Sequence, residues 1–341
     1  MRVFLTGHTG FKGAWLSLIL TESGHEVVGY SLDPEPGALF EVGEVSENLS
    51  GDYRADVRDT STLATAISES SPDVVIHMAA QPLVRESYAD PRYTMETNVM
   101  GTLAVLEALR HASSVSAAVL VTTDKVYRNI NQRAGYVEGD ALGGHDPYSA
   151  SKAMADLLIQ SWVASFPGPP TAVARAGNVI GGGDVCKDRL MPDLIRGFSV
   201  GQEVEIRYPS AVRPWQHVLD CLQGYLDLST ALLDGTIAGR EWNFGPGEDS
   251  FRTVAEVADL TARLWGGQAA WVDRSGGHPH EAELLALDAA KARTQLSWAD
   301  RLTYADAVAW TVDWHKAVLG GQEPREAALA QVREYRLRDA H

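Results

Sequence analysis

Cysteine is nearly absent from this sequence: Cys186 and Cys221 are the two among 341 residues. That excludes a disulfide scaffold and a cysteine-rich zinc site, and it fits a reducing compartment such as the cytoplasm. Long apolar runs are missing too. Stretches such as Ala117–Val121 fall far short of the ~20 residues a membrane helix needs. Basic residues are outnumbered, 29 to 45, which leaves a net charge of −16. A surface that acidic repels phosphate backbones and argues against nucleic acid and anionic membranes as partners. A small phosphate-bearing ligand still binds where a few arginines override the net field. The start of the chain, Arg2-Val-Phe-Leu-Thr6, reads as a strand and not as a signal peptide.

What is present is a globular composition, 45% hydrophobic and 22% charged, enough to bury a large core. At roughly 150 residues per domain, the length predicts two domains or one α/β unit with an added lobe. Short β-branched runs at Val3–Thr6, Glu26–Tyr30, Val74–His77, Ala117–Thr123 and Thr171–Ala176 predict strands. Between them, Gly13–Ser23, Thr60–Ser68, Asn98–Ala112 and Ala150–Ser165 carry apolar residues at helical spacing. Such alternation predicts an α/β fold, a Rossmann-like doubly wound parallel sheet, with a smaller interleaved C-terminal substrate lobe. The expected division gives 1–177 and 218–245 to the dinucleotide-binding domain and 178–217 and 246–330 to the lobe, with 331–341 as a tail. Val218–Leu233 reads as a helix and Glu241–Phe244 as a strand returning to the sheet, while Phe251–Trp265 and Tyr304–Ala317 read as lobe helices. The Arg- and Glu-rich last twenty residues read as a solvated helix or tail.

Gly7-His-Thr9-Gly10-Phe11-Lys12-Gly13 follows the first strand and opens the first helix. Glycines at that point allow a tight turn and close approach of a pyrophosphate to backbone N–H groups. The alternative is a plain turn, but the position between strand and helix favours the dinucleotide. Asp33, 20 residues after Gly13, is the candidate for the adenosine ribose. No arginine follows the second strand before Arg54, which favours NAD over NADP; Lys12 argues the other way, as a basic residue inside the loop.

Tyr148 and Lys152 stand four apart, on one helix face. A cation beside a phenol lowers its pKa and makes Tyr148 a usable base. Such a pair also arises by chance on helix surfaces. Here it lies beyond a glycine loop and a strand ending Thr122-Thr123-Asp124-Lys125. That ordering resembles the extended short-chain dehydrogenase/reductase superfamily. Gly7–Leu16, His77–Arg85, Thr97–Gly101, Gly143–Ser149, Arg175–Asp184, Arg213–Val218, Trp242–Pro246 and His278–Ala282 look more narrowly like the CDP-D-glucose 4,6-dehydratase family. The likeness spans roughly residues 1–315.

The resemblance implies an internal redox elimination. NAD takes hydride from C4 of the sugar while Tyr148 removes the hydroxyl proton, with Lys152 supporting Tyr148 and the cofactor ribose. Thr123 would polarise the C4 oxygen, Asp124 would protonate the leaving 6-hydroxyl, and Lys125 would act at C5, as base when neutral or as enolate stabiliser when charged. Hydride then returns to C6. The carried-over cofactor positions are Gly7, Thr9, Gly10, Phe11, Lys12, Gly13, Asp33, Asp56 and Val57 (for adenine), Ala79, Ala80, Gln81, Asn98, Thr122, Tyr148, Lys152 and Arg175. On the substrate side they are Gln81, Arg85, Asn178, Arg189, Leu190, Arg213 and His217. Arg189 and Arg213 are candidates for the substrate pyrophosphate, against the alternative of structural salt bridges. His77 and His217 also read as hydrogen-bonded structural histidines. His278-Pro-His280-Glu281 lacks the further ligands a metal site needs, and no metal is expected. The resemblance also implies a homodimer packed through Asn98–Ala112 and Ala150–Ser165.

Departures from the family pattern gather where the sugar should sit. His145 stands in place of a Tyr, Val185 of a Trp, Leu284 of a Tyr and Glu86 of a basic residue, and Gln132-Arg-Ala134 replaces a Trp-containing insert. They keep open the same chemistry on another sugar nucleotide or a nucleoside, possibly stopping at a 5,6-alkene. An epimerase and a non-catalytic NAD-sensing protein are the remaining alternatives. Intact Tyr148 and Lys152 speak against a sensor, and Asp124-Lys125 exceeds what C4 epimerisation requires.

Overall fold

The computed structural model describes residues 1–132, 134–237, 240–276 and 285–338. Its central strands are β1 (Arg2–Thr6), β2 (Glu26–Ser31), β3 (Gly51–Arg54), β4 (Val74–His77), β5 (Ala117–Val121) and β6 (Thr171–Ala176). Short strands β7 (Val179–Ile180), β8 (Val204–Ile206), β9 (Val212–Pro214) and β10 (Gln216–His217) precede β11 (Glu241–Phe244), and β12 (Phe251–Thr253) and β13 (Trp271–Asp273) follow it. Seven strands form one parallel sheet in the order β11-β6-β5-β4-β1-β2-β3. The direction of winding reverses between β1 and β4, and a crevice opens there at the strands' carboxyl ends.

Strands buried on both faces need apolar residues at successive positions, and Val74–Ile76 and Ala117–Val121 supply them. On one face lie α1 (Phe11–Glu22) and, later in the chain, the helix Val218–Leu233, meeting Leu5, Ile76 and Val119. On the other lie Thr60–Ser70, Gly101–His111 and Pro147–Ser165, meeting Phe4, Val75 and Leu120. A third cluster joins Leu190–Ser199, Val254–Trp265 and Tyr304–Leu319 through Leu194, Val257 and Val308. Numbered in chain order, the helices used below are α1, α2 (Pro147–Ser165), α3 (Leu190–Ser199), α4 (Val218–Leu233) and α5 (Pro324–Leu337).

Two sequence expectations change, and one strand was not expected. Residues Phe251–Thr253 form β12, antiparallel to β9, and the helix begins only after the capping box of Thr253 and Glu256. The strand β3 carries no apolar alternation, and the sequence reading passed over it. The C-terminal segment is not a solvated tail: in α5, Ala327, Ala328, Leu329, Val332 and Tyr335 are buried, and the Tyr335 hydroxyl donates to Asp220 Oδ1 at 2.8 Å. No described helix is long and apolar enough to cross a membrane.

Candidate active site

The glycine loop joins β1 to α1. Gly7 takes φ +77°, and a Cβ there would come within 2.7 Å of the Ala79 nitrogen; glycine meets both demands. A Cβ on Gly13 would overlap the Gly7 carbonyl and His8 Cα. Gly10 caps α1 without any side-chain hydrogen bond, leaving the first-turn N–H groups for an anion. This cradle fits a dinucleotide pyrophosphate. Thr9 ties it to the end of β2, its hydroxyl 2.8 Å from Ser31 Oγ and 3.0 Å from the Leu32 carbonyl.

Lys12 turns away from the adenosine end. Its Nζ donates to the Tyr225 hydroxyl on α4 at 3.2 Å, and its charge reaches Lys152. The opposition it offered to NAD therefore falls. Arg54 changes in the other direction, because the sheet register sets it beside Ser31, 3.8 Å from the exposed Asp33. Asp56 is engaged by Arg58 at 2.7 Å, and Val57 is buried. Asn98 accepts from the Gln81 N–H (2.8 Å) and donates to the Gln81 carbonyl (3.0 Å) and Ser151 Oγ (2.8 Å). The Gln81 side chain donates to Thr94 (2.8 Å) and the Leu83 carbonyl (3.0 Å). These two side chains thus secure the Ala79–Ala80–Gln81 loop facing Gly7, and their own polar atoms are already paired.

Tyr148 and Lys152 sit in the first two turns of α2, which Asp146 caps by accepting the Ser149 N–H at 2.9 Å and Pro147 starts. Both are buried. Burial pushes the Tyr148 phenol up to about 12, opposed by a hydrogen bond with Thr123, raised further by Asp124 and lowered by Arg189. Burial pulls the Lys152 amine down to about 8, with Lys12 adding to the fall and Asp156 opposing it. Lys152 Nζ donates to the Val121 carbonyl at 3.0 Å, so the immediate partner of the phenol is Thr123.

Thr123 and Asp124 follow β5 directly. Thr123 Oγ1 donates to Asp124 Oδ1 at 2.8 Å. Burial holds the Asp124 carboxyl above the usual range, against the charges of Lys125 and Arg213 and the Thr123 bond. A buried carboxyl, a hydroxyl, a phenol and the half-buried Lys125 are thereby collected at the end of β5. The neighbouring Thr122 hydroxyl instead points inward, to Asp156 Oδ2 at 3.0 Å.

Two carried-over positions have other tasks. The guanidinium of Arg175 is fully buried and held by Asp156 in two bonds of 2.8 and 2.7 Å, and it also donates to Tyr127 (2.8 Å) and the Glu138 carbonyl (3.1 Å). It braces α2 against β6, and its side chain is engaged in these bonds. The His217 ring is buried between Trp15 and Trp310, and its Nδ1 accepts the Leu219 N–H at 3.3 Å as the cap of α4. His77 is likewise structural, hydrogen-bonded to Thr6 and Thr102 at 2.7 and 3.2 Å.

Among the substrate-side arginines, Arg189 pairs with Asp184 at 3.0 Å next to Tyr148, and buried Arg213 approaches Asp124. Arg85 is exposed and pairs with Asp188 at 2.9 Å. Leu190 opens α3, and the Asn178 carbonyl accepts the Gln216 N–H at 3.3 Å. His145 and Glu86 are exposed, and Val185 is half-buried. Arg133, His278, His280, Glu281 and Leu284 lie outside the described residues. Asp156 escaped the sequence reading, although the Tyr148–Lys152 spacing continued by one turn reaches it.

The profile described as the NAD dependent epimerase/dehydratase family matches residues 3–245. A CDP-glucose 4,6-dehydratase of Salmonella typhimurium is 44% identical over 98% of this chain and 96% of its own. Among solved structures, a UDP-glucose 4-epimerase of Thermus thermophilus in complex with NAD superposes with a TM-score of 0.80 at 25% identity, covering 93% of this chain and 99% of the other. A dTDP-glucose 4,6-dehydratase of Bacillus anthracis in complex with NAD gives a TM-score of 0.80 at 22% identity, with 95% and 99% covered. With its cradle, its parallel sheet and its Tyr148–Lys152 helix, the chain belongs to the NAD-dependent epimerase/dehydratase family.

Proposed function

We propose that the protein converts CDP-D-glucose to CDP-4-keto-6-deoxy-D-glucose and water. The observation that carries this reading is the assembly of Thr123, Asp124 and Lys125 at the end of β5 with Tyr148 hydrogen-bonded to Thr123. The 44% identity to the Salmonella enzyme over nearly the whole chain supports the substrate. Bound NAD supplies the hydride acceptor at C4 and the donor that later serves C6. Gly7, Gly10 and Gly13 hold its pyrophosphate, with the Ala79–Gln81 loop opposite.

Tyr148, the hydrogen-bond partner of Thr123, takes the 4-hydroxyl proton. Burial disfavours the phenolate, so Tyr148 needs a cation alongside to act as base, and Lys152 is one turn away. Asp124, whose carboxyl burial raises above the usual range, donates a proton to the departing 6-hydroxyl, which leaves as water. Lys125 takes the C5 proton as the 6-hydroxyl leaves, and it returns a proton to C5 when hydride is delivered to C6. Arg189 and Arg213 hold the substrate pyrophosphate. The family resemblance also supports a homodimer through the faces of α2 and Gly101–His111. The two unpaired cysteines fit the cytoplasm.

A second reading keeps the chemistry and changes the sugar or nucleobase. It is favoured by the departures at His145, Val185 and Glu86. Both are tested by incubating the purified protein with NAD⁺ and a panel of sugar nucleotides and nucleosides, reading the loss of one water by mass spectrometry. Loss from CDP-glucose supports the first reading; loss only from another member supports the second.

A further inference from the structure

The ribose of a bound dinucleotide rests over the carboxyl end of the second strand, where an acidic residue favours the 2′-hydroxyl of NAD and an arginine accommodates the 2′-phosphate of NADP. Both kinds of residue are at that place here. Arg54, at the end of β3, pairs in register with Ser31 at the end of β2. Its Nε and Nη2 each donate to Asp52 at 2.7 Å. Its remaining nitrogen, Nη1, faces Asp33 at 3.8 Å, and the guanidinium stacks 4.9 Å from the Phe40 ring. Asp52 is fixed in turn by the buried His8 of the glycine loop, at 2.8 Å. An arginine is therefore aimed at the ribose end, and two carboxylates occupy it.

We propose that Arg54 is a latent phosphate partner silenced by Asp52 and Asp33, so that these two carboxylates set the preference for NAD over NADP. A 2′-phosphate here would meet two negative charges and an arginine whose fork is already engaged. Removing either carboxylate frees donors and relieves repulsion together. The inference rests on the NAD dependence of the family, not on the proposed sugar nucleotide.

The test is titration calorimetry of NAD⁺ and NADP⁺ against the intact protein with no sugar nucleotide present, so its failure leaves the substrate question untouched. The variants are Asp33→Asn, Asp52→Asn, and each combined with Arg54→Met. Neutralising one carboxylate should tighten NADP⁺ relative to NAD⁺ by roughly five- to tenfold at low salt, and by less at high salt. Adding Arg54→Met should abolish the gain. Asp33 is exposed, so its variant carries the test even if Asp52→Asn disturbs the glycine loop. An unchanged ratio in Asp33→Asn, or a gain that survives Arg54→Met, overturns the proposal.

Discussion

Replacing Arg175 by Met separates its buried structural role, within β6, from the cofactor role that the family resemblance implies. Arg175 and Asp156 are both wholly buried, and Arg175 donates to Asp156 twice, to Tyr127 and to the Glu138 carbonyl. Removing the guanidinium strands the Asp156 carboxylate in the core, with only Thr122 and Gln160 left to donate to it. Breaking a buried pair from one side costs about 3–5 kcal/mol, a large share of the ~5–15 kcal/mol that holds a domain folded. Replacing both partners, Arg175→Met with Asp156→Leu, should recover most of the loss, because no charge is then left unpaired. Urea unfolding followed by tryptophan fluorescence measures the cost, and calorimetry measures NAD⁺ affinity. A stability loss with unchanged affinity in the folded variant is expected. Full stability with weakened NAD⁺ binding would refute the structural assignment and restore Arg175 to the cofactor site.

Further outcomes follow from the same geometry. Tyr148→Phe should lower kcat by about 10²–10⁴ while NAD⁺ binding by calorimetry is retained; unchanged turnover would exclude Tyr148 as the base. Lys125→Met should spare exchange at C4 but stop water loss, which labelled substrate followed by mass spectrometry separates; undiminished elimination would assign the C5 step elsewhere. Asp220 is buried, its Oδ2 finds no hydrogen-bond partner among the described residues, and burial together with Asp300 raises its carboxyl from 3.8 to about 7. Its proton is kept in the native state and lost in the unfolded one, so its contribution is full below about pH 4 and is lost as pH rises through 7. Asp220→Asn should therefore gain stability over the wild type at about pH 8, by at most about 4 kcal/mol, with little difference near pH 4. Denaturant midpoints at the two pH values check this, and a gain independent of pH would contradict it.

The sheet was largely legible because its strands are buried on both faces and read as continuous apolar runs. Val74–His77 and Thr171–Ala176 were placed to the residue, and the return of Glu241–Phe244 to the sheet was anticipated. The strand Gly51–Arg54 was invisible because an edge strand needs little apolar surface. In α5 the charged residues face water, but Ala327, Ala328, Leu329, Val332 and Tyr335 line one stripe that counting Arg and Glu conceals. At the site, linear spacing located Tyr148 and Lys152, whose relation is one helical turn. It did not reveal that Arg54 lies beside the end of β2, a relation made by strand pairing across more than twenty intervening positions. Nor did it show whether Arg175 and His217 point into the cleft or the core, since each sits at a strand end where one residue of register decides the face.

Water loss from CDP-glucose in the presence of NAD⁺, with Asp124→Asn in parallel, separates dehydration from epimerisation. One product lighter by one water, carrying a C4 ketone and a C6 methyl group, is expected, and it should be lost in Asp124→Asn while C4 oxidation persists. A product of unchanged mass with inverted C4 would make the protein an epimerase, and elimination undiminished in Asp124→Asn would contradict the assignment of the acid.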